Sequence, residues 1–168
     1  MHLRLETADK YAAKLMETLT PYCDRIAVAG SIRRRRPIVG DIDLVVLTRD
    51  KRAFKDRCMQ SCIVLQDGDE NFICETRNDI QIDVFFARQA QTELFTHVPG
   101  TWGSVLLCRT GSTEHNIYLI EHAKRLGLAW VPNAGVRDSE YNILAAETEE
   151  EIFAALKLDF IPPEKRER

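Results

Sequence analysis

Three aspartates carry the chemistry that this sequence suggests first. Asp41 and Asp43 stand two apart at the head of the run Asp41-Ile42-Asp43-Leu44-Val45-Val46-Leu47, and Asp83 lies inside the alternating run Ile80-Gln81-Ile82-Asp83-Val84-Phe85-Phe86. Both runs read as strands. Side chains two apart on a strand share a face, with attachment points about 6.6 Å apart, and paired strands lie about 4.8 Å apart. If the two strands are neighbours, three carboxylates converge. Like charges at one spot resist ionisation together. One or two divalent cations remove that conflict, and hard oxygen ligands suit magnesium, with manganese as the alternative. Such a cluster fits phosphoryl transfer, in which two ions about 3.5–4 Å apart serve the attacking and leaving oxygens. On its own, Asp-x-Asp at a strand end is more often a solvent-facing acidic pair than a metal site. A calcium loop does not fit, because the residues after Asp43 are apolar and the sixth position is no glycine.

A second group of residues suits an anion. Gly30-Ser31 follows the apolar run Ile26-Ala27-Val28-Ala29 and precedes Arg33-Arg34-Arg35-Arg36. A glycine there lets the backbone approach a ligand, and backbone N–H groups with a serine hydroxyl bind phosphate. Arg34 adds charge suited to phosphate oxygens. Gly40, just before Asp41, offers a second close approach. Each feature alone reads as an ordinary turn or a solvated basic face. Their order, a strand, Gly-Ser, arginines, Gly-Asp-x-Asp and then an aspartate on a later strand, sets them apart.

The elements that must position these residues follow from periodicity. Residues 7–20 show the 3-4-3-4 apolar spacing of an amphipathic helix, with Thr7 as cap and Pro21 at the exit. Strands are expected at 26–29, 41–47, 62–65, 71–76 and 79–87, and a polar helix at 50–60. On the 79–87 strand, Ile80, Ile82, Val84 and Phe86 share one face and Gln81, Asp83 and Phe85 the other. The second half reads as helices at 101–109 and 112–126, broken by Gly111, capped by Ser112 and stopped by Gly127. A hairpin at 128–137 turns near Asn133-Ala134-Gly135. Thr148-Glu149-Glu150-Glu151 matches a capping box for a helix at 149–156, and Pro162-Pro163 should end regular structure. A soft boundary is expected near residue 100.

The bulk numbers agree with a folded chain. Of 168 residues, 45% are hydrophobic and 29% charged, the balance of a chain that buries a core. The net charge of −3 speaks against a general nucleic-acid coat but allows a local basic face. No apolar run reaches bilayer length, so no membrane partner is expected. The N-terminal residues lack a signal-peptide pattern, so a cytoplasmic location is expected, or host cytoplasm or nucleus for a viral chain. Cysteines stand at 23, 58, 62, 74 and 108, an odd set without zinc or redox spacing, so reduced thiols are expected.

Gly30-Ser31-Ile32-Arg33-Arg34 followed by Gly40-Asp41-Ile42-Asp43 resembles the signature of the polymerase-beta-like nucleotidyltransferases, and Ile80-Gln81-Ile82-Asp83-Val84-Phe85 is similar to their third-aspartate strand. Thr110-Gly111-Ser112 with Asn116, and the tail Phe160-Ile161-Pro162-Pro163-Glu164-Lys165-Arg166, narrow the resemblance to family X DNA polymerases. It runs from about residue 25 to the last residues. It implies an α+β fold: a nucleotidyltransferase palm with a mixed β-sheet and flanking helices (1–100), followed by a small helical and β-hairpin thumb (101–168). It implies that Gly30, Ser31, Arg34 and Gly40 hold the β and γ phosphates. Asp41 and Asp43 bridge two divalent cations, and Asp83 binds the one beside the primer 3′-hydroxyl. Thr110-Gly111 line the nucleotide sugar, and Asn116 reaches the base edge. The implied partners are a DNA primer-template and a deoxynucleoside triphosphate, acted on by a monomer, in gap filling or repair. Nucleotidyl transfer to an RNA end, a protein or a small molecule is the alternative, and a binding module that kept the fold is a second.

Some positions depart from the family pattern. The chain has no room for N-terminal helix-hairpin-helix regions, so lyase activity is not expected, and it resembles minimal palm-plus-thumb forms. Cys108-Arg109 replace an aromatic pair, which bears on sugar selection. Ile120 replaces a template-contacting arginine, which bears on fidelity. Arg4 is the candidate for an N-terminal phosphate contact. Lys124, Arg125 and Lys165-Arg166 are candidate DNA phosphate contacts or plain solvated charge. His115 is expected to be a partly exposed helix residue, Trp102 to pack at the junction of the halves, and Trp130 to lie in a hairpin core.

Overall fold

The computed structural model describes residues 2–92 and 97–167. The chain divides into two compact units, Met1–Phe86 and Ala87–Arg168. The soft boundary expected near residue 100 falls within the second. Arg88, Gly100 and Thr101 are held there by hydrogen bonds. Thr101 N–H donates to the Arg88 carbonyl, Arg88 N–H donates to Thr101 Oγ1, and Gly100 N–H donates to Glu147 Oε1.

The first unit comprises β1 (Leu3–Arg4), α1 (Leu5–Leu19), β2 (Arg25–Val28), α2 (Gly30–Arg33), β3 (Ile38–Val39), β4 (Ile42–Leu47), α3 (Lys51–Met59), β5 (Cys62–Asp67), β6 (Asn71–Thr76) and β7 (Gln81–Phe86). Five strands form one sheet in the order β2-β4-β7-β6-β5. The β4–β7 pair is parallel and every other pair antiparallel, as a mixed sheet requires. Period-2 alternation turns Leu44 and Val46 of β4 and Ile82 and Val84 of β7 into one buried cluster with Ala8, Ala12 and Leu19 of α1 and Phe54 of α3. Phe54 stacks edge-on against Phe86 at 5.8 Å. Full burial of a side chain like Phe54 stabilises by about 2–3 kcal/mol. Asp50 caps α3 by accepting from Ala53 N–H at 2.9 Å.

α1 starts two residues before the expected position, and Thr7 does not cap it. The chain ahead is pinned instead: Leu3 pairs with Val39 across β1–β3, and Leu5 N–H donates to the Pro37 carbonyl. The helix begins where strand pairing ends. The residues after Ala29, expected as a tight turn, form the single helical turn α2.

The second unit comprises β8 (Gln91–Thr92), β9 (His97–Val98), α4 (Trp102–Thr110), α5 (Thr113–Arg125), β10 (Ala129–Val131), β11 (Gly135–Arg137), β12 (Ile143–Ala145) and α6 (Glu149–Ala155). Ser112 caps α5, and Thr148 caps α6 by accepting from Glu151 N–H, both as their sequence motifs predict. Gly127 ends α5 with φ +71°, a conformation that suits glycine. Trp130 lies in the core, its indole N–H donating to Ser104 Oγ at 2.9 Å. Gly103 of α4 passes so close to Thr148 that a Cβ there would meet its backbone at 2.3 Å. β12 was missed by periodicity because three residues are too few to show alternation. Pro162-Pro163 do not end regular structure outright, since a 3-10 turn follows at Pro163–Lys165. Proline opens such a turn without losing a needed donor.

No helix among the described residues is long and apolar enough to cross a membrane. All five cysteines are free thiols. Burial pushes the Cys58 thiol up to about 12, whereas the Cys74 thiol donates to Cys62 and lowers Cys62 to about 7. Since the thiolate is the nucleophile, iodoacetamide at pH 7.5 is expected to label Cys62 first. Peptide mass spectrometry reads the order, and labelling of Cys58 ahead of Cys62 contradicts it.

Candidate active site

The carboxylate cluster follows from strand register. Parallel pairing of β4 with β7 sets Asp43 directly opposite Asp83, and Asp41, two residues before Asp43, shares its face. One carboxylate oxygen from each of Asp41, Asp43 and Asp83 lies within 4.8 Å of the others, and all three residues are half-buried. Three anions packed this closely and partly out of water repel strongly. Gln81, two residues before Asp83 on β7, donates Nε2–H to Asp83 Oδ1 at 2.7 Å. That neutral donor holds the third carboxylate without adding a charge. Sequence reading named Gln81 on this face but gave it no role. The only available signal was its spacing of two from an acid.

Gly30 completes the cradle. Its φ of +57° is left-handed, and a Cβ built there would sit 1.7 Å from Asp43 Oδ2. No side chain fits without displacing that carboxylate. Ser31 and Arg34 are half-buried, and Ser31 Oγ is shielded without a hydrogen-bond partner. An orphaned buried hydroxyl beside a glycine turn suits an incoming anion. Gly40 is exposed, with open space where a Cβ would stand. The hard oxygen donors and the crowded negative charge fit divalent cations.

In the second unit, Thr110 and Gly111 are buried at the end of α4, and Gly111 takes φ +68°. Asn116 is half-buried. Its Nδ2 donates to the Cys108 carbonyl at 2.8 Å, while its Oδ1 is shielded and without a partner. Lys124, Arg125 and Lys165 are exposed.

Two expectations are corrected. Arg166 does not face solvent as a phosphate contact: it is fully buried, paired with Glu149 at 2.7 Å, and its guanidinium lies 5.5 Å from the rings of both Phe153 and Phe160. Side-chain periodicity says nothing in a tail without helix or strand, so this burial was invisible. His115 is not partly exposed either: it is fully buried, its ring 6.0 Å from that of Phe153. It heads the stripe His115, Leu119, Ala123, spaced by four, which faces the core of the unit. That spacing was readable from the sequence.

Residues 105–167 match the family model of the DNA polymerase beta thumb. The DNA polymerase/3'-5' exonuclease PolX of Bacillus subtilis (strain 168) is 28% identical over 147 residues, covering 83% of this chain. Both matches make the chain similar to family X polymerases. It spans about a quarter of that curated relative, 24% of its length. Two solved structures of Leishmania infantum polymerase beta share the fold. One is a ternary P/T complex (TM-score 0.80, 15% identity, all of this chain and 77% of that one), and the other a ternary gap complex (TM-score 0.79, 15% identity, all of this chain and 71% of that one). The α+β class and mixed sheet agree with them.

Gly30→Ala is expected to push the Asp43 carboxylate aside. Manganese affinity, read by titration of the paramagnetic signal, should fall by about tenfold or more, with a stability cost of about 1–2 kcal/mol for the left-handed backbone. Unchanged manganese affinity contradicts this account of the cradle.

Proposed function

We propose that this chain is a DNA-directed DNA polymerase that adds deoxynucleotides to a primer 3′-hydroxyl, in gap filling or repair. The observation that carries the proposal is the register-built cluster of Asp41, Asp43 and Asp83 beside a glycine-serine turn. Asp41, Asp43 and Asp83 would hold divalent cations, magnesium or manganese. Such ions, when bound, neutralise triphosphate charge and make the attacking oxygen a better nucleophile. Gly30, Ser31, Arg34 and Gly40 bind the β and γ phosphates, with Ser31 Oγ gaining the partner it lacks. Arg34 supplies the charge-assisted hydrogen bonds. In the second unit, Thr110-Gly111 line the sugar, and Asn116 offers its shielded Oδ1 to the base edge. Lys124, Arg125 and Lys165 add sequence-independent contacts to DNA phosphates.

The reaction is in-line. The primer 3′-hydroxyl gives its proton to solvent as its oxygen bonds to the α-phosphorus, the bond from that phosphorus to the bridging oxygen breaks, and pyrophosphate leaves. Asp83 lies beside the 3′-hydroxyl and Ser31 and Arg34 at the leaving phosphates. The triad therefore organises attack, and the turn stabilises departure.

Primer extension with magnesium and each nucleotide, on gapped, recessed and single-stranded DNA, tests this. Extension that depends on template is expected, and Asp83→Ala should lower it by about a thousandfold or more while the variant stays folded by circular dichroism. Absence of extension on every DNA with either metal overturns the proposal and leaves transfer to RNA, protein or a small molecule.

A further inference from the structure

Arg166 is the largest fully enclosed side chain among the described residues, and it belongs to a tail segment without α-helix or strand. A buried guanidinium is stable only where its charge is met by an opposite one. Here Nη1 donates to Glu149 Oε1 at 2.7 Å and Nε to the Ile161 carbonyl at 2.8 Å, with the Phe153 and Phe160 rings at 5.5 Å. These contacts fix the backbone of residue 166. Its carbonyl then accepts from Ser112 Oγ at 2.8 Å and from Ser112 N–H at 3.4 Å.

Ser112 joins the two segments given to the nucleotide above. It directly follows Thr110-Gly111. Its hydroxyl has one hydrogen, and giving it to Arg166 leaves a lone pair for the α5 cap, His115 N–H at 3.3 Å. Its carbonyl accepts from Asn116 N–H at 2.9 Å. The placement of Thr110-Gly111 and of Asn116 is therefore tied, through Ser112, to the carbonyl of Arg166, whose side chain is anchored by the Glu149 ion pair and the Ile161 carbonyl.

We propose that Arg166, through Glu149 and Ser112, is a positioning residue for nucleotide binding: it sets the sugar-lining segment Thr110-Gly111 and the base-facing Asn116. The inference rests on the polymerase proposal for what those residues touch. It assigns no contact between Arg166 and substrate, and it replaces the phosphate role expected for Arg166.

Arg166→Met alone strands a buried carboxylate and unfolds the unit for an uninteresting reason. The informative variant is therefore the paired change Glu149→Leu with Arg166→Met, which fills the volume without charge. Calorimetric titration with a deoxynucleoside triphosphate and magnesium reads binding without turnover, and primer extension reads kcat and KM. In the paired variant, Tm is expected to stay within a few degrees of wild type, Kd and KM to rise about tenfold, and kcat to change less than about threefold. Arg166→Lys, which keeps the charge but not the fork, should recover part of the affinity. Wild-type Kd and KM in the paired variant overturn the inference. So does a loss of kcat that matches the loss of affinity, or affinity loss that scales with Tm across the variants. Failure of wild type to extend any primer sinks the polymerase proposal instead, and the calorimetric Kd still decides the role of Arg166.

Discussion

The first unit is organised around a repulsion. Parallel register between β4 and β7 puts Asp43 and Asp83 side by side, and Asp41 joins them. A sheet built for stability alone would not place three anions within 4.8 Å. A slip of one residue would turn the two acids of the β4 run, or the one of β7, to the other face and dissolve the cluster. That slip is blocked by the apolar residues that alternate with the acids: Ile42, Leu44, Ile82 and Val84 are all buried in the core. The same alternation that stabilises the sheet thus enforces the crowding, and cations offset the electrostatic cost. Gly30, with no Cβ to clash with Asp43, and Gln81, a donor without charge, are shaped to this arrangement.

The second unit has a different polar centre. Arg166, Glu149 and Ser112 are buried together, and unlike the aspartates they compensate one another. Burying an ion pair seldom stabilises more than well-packed apolar residues would. Its value here is geometric: an apolar contact holds a chain loosely, whereas the fork of a guanidinium fixes the carbonyl on which Ser112 and the start of α5 depend. One unit holds charge in deficit, ready for ligand, and the other holds it balanced, as scaffold.

Much of this was legible in the sequence. The alternation in 79–87 gave the inward and outward faces of β7 directly, and Asp-x-Asp placed two acids on one face. Ser112 and Thr148 announced their caps, because N-cap chemistry is local. What stayed hidden depended on pairing across the chain. The start of α1 is set by Leu3 meeting Val39, which is not a local signal. β12 is too short to show a period. Arg166 read as a phosphate contact or as solvated charge, both exposed, because charged residues in an irregular tail nearly always are. The His115 error was of another kind: the spacing by four to Leu119 and Ala123 was available, and residue type outweighed it.

The most direct test is anomalous diffraction from crystals grown with manganese and a deoxynucleoside triphosphate. The account predicts manganese density against the oxygens of Asp41 and Asp43, with Asp83 reaching one ion and the triphosphate along the turn at Gly30-Ser31. Density that avoids these oxygens, or a third acid rotated away from the other two around bound nucleotide, would contradict it.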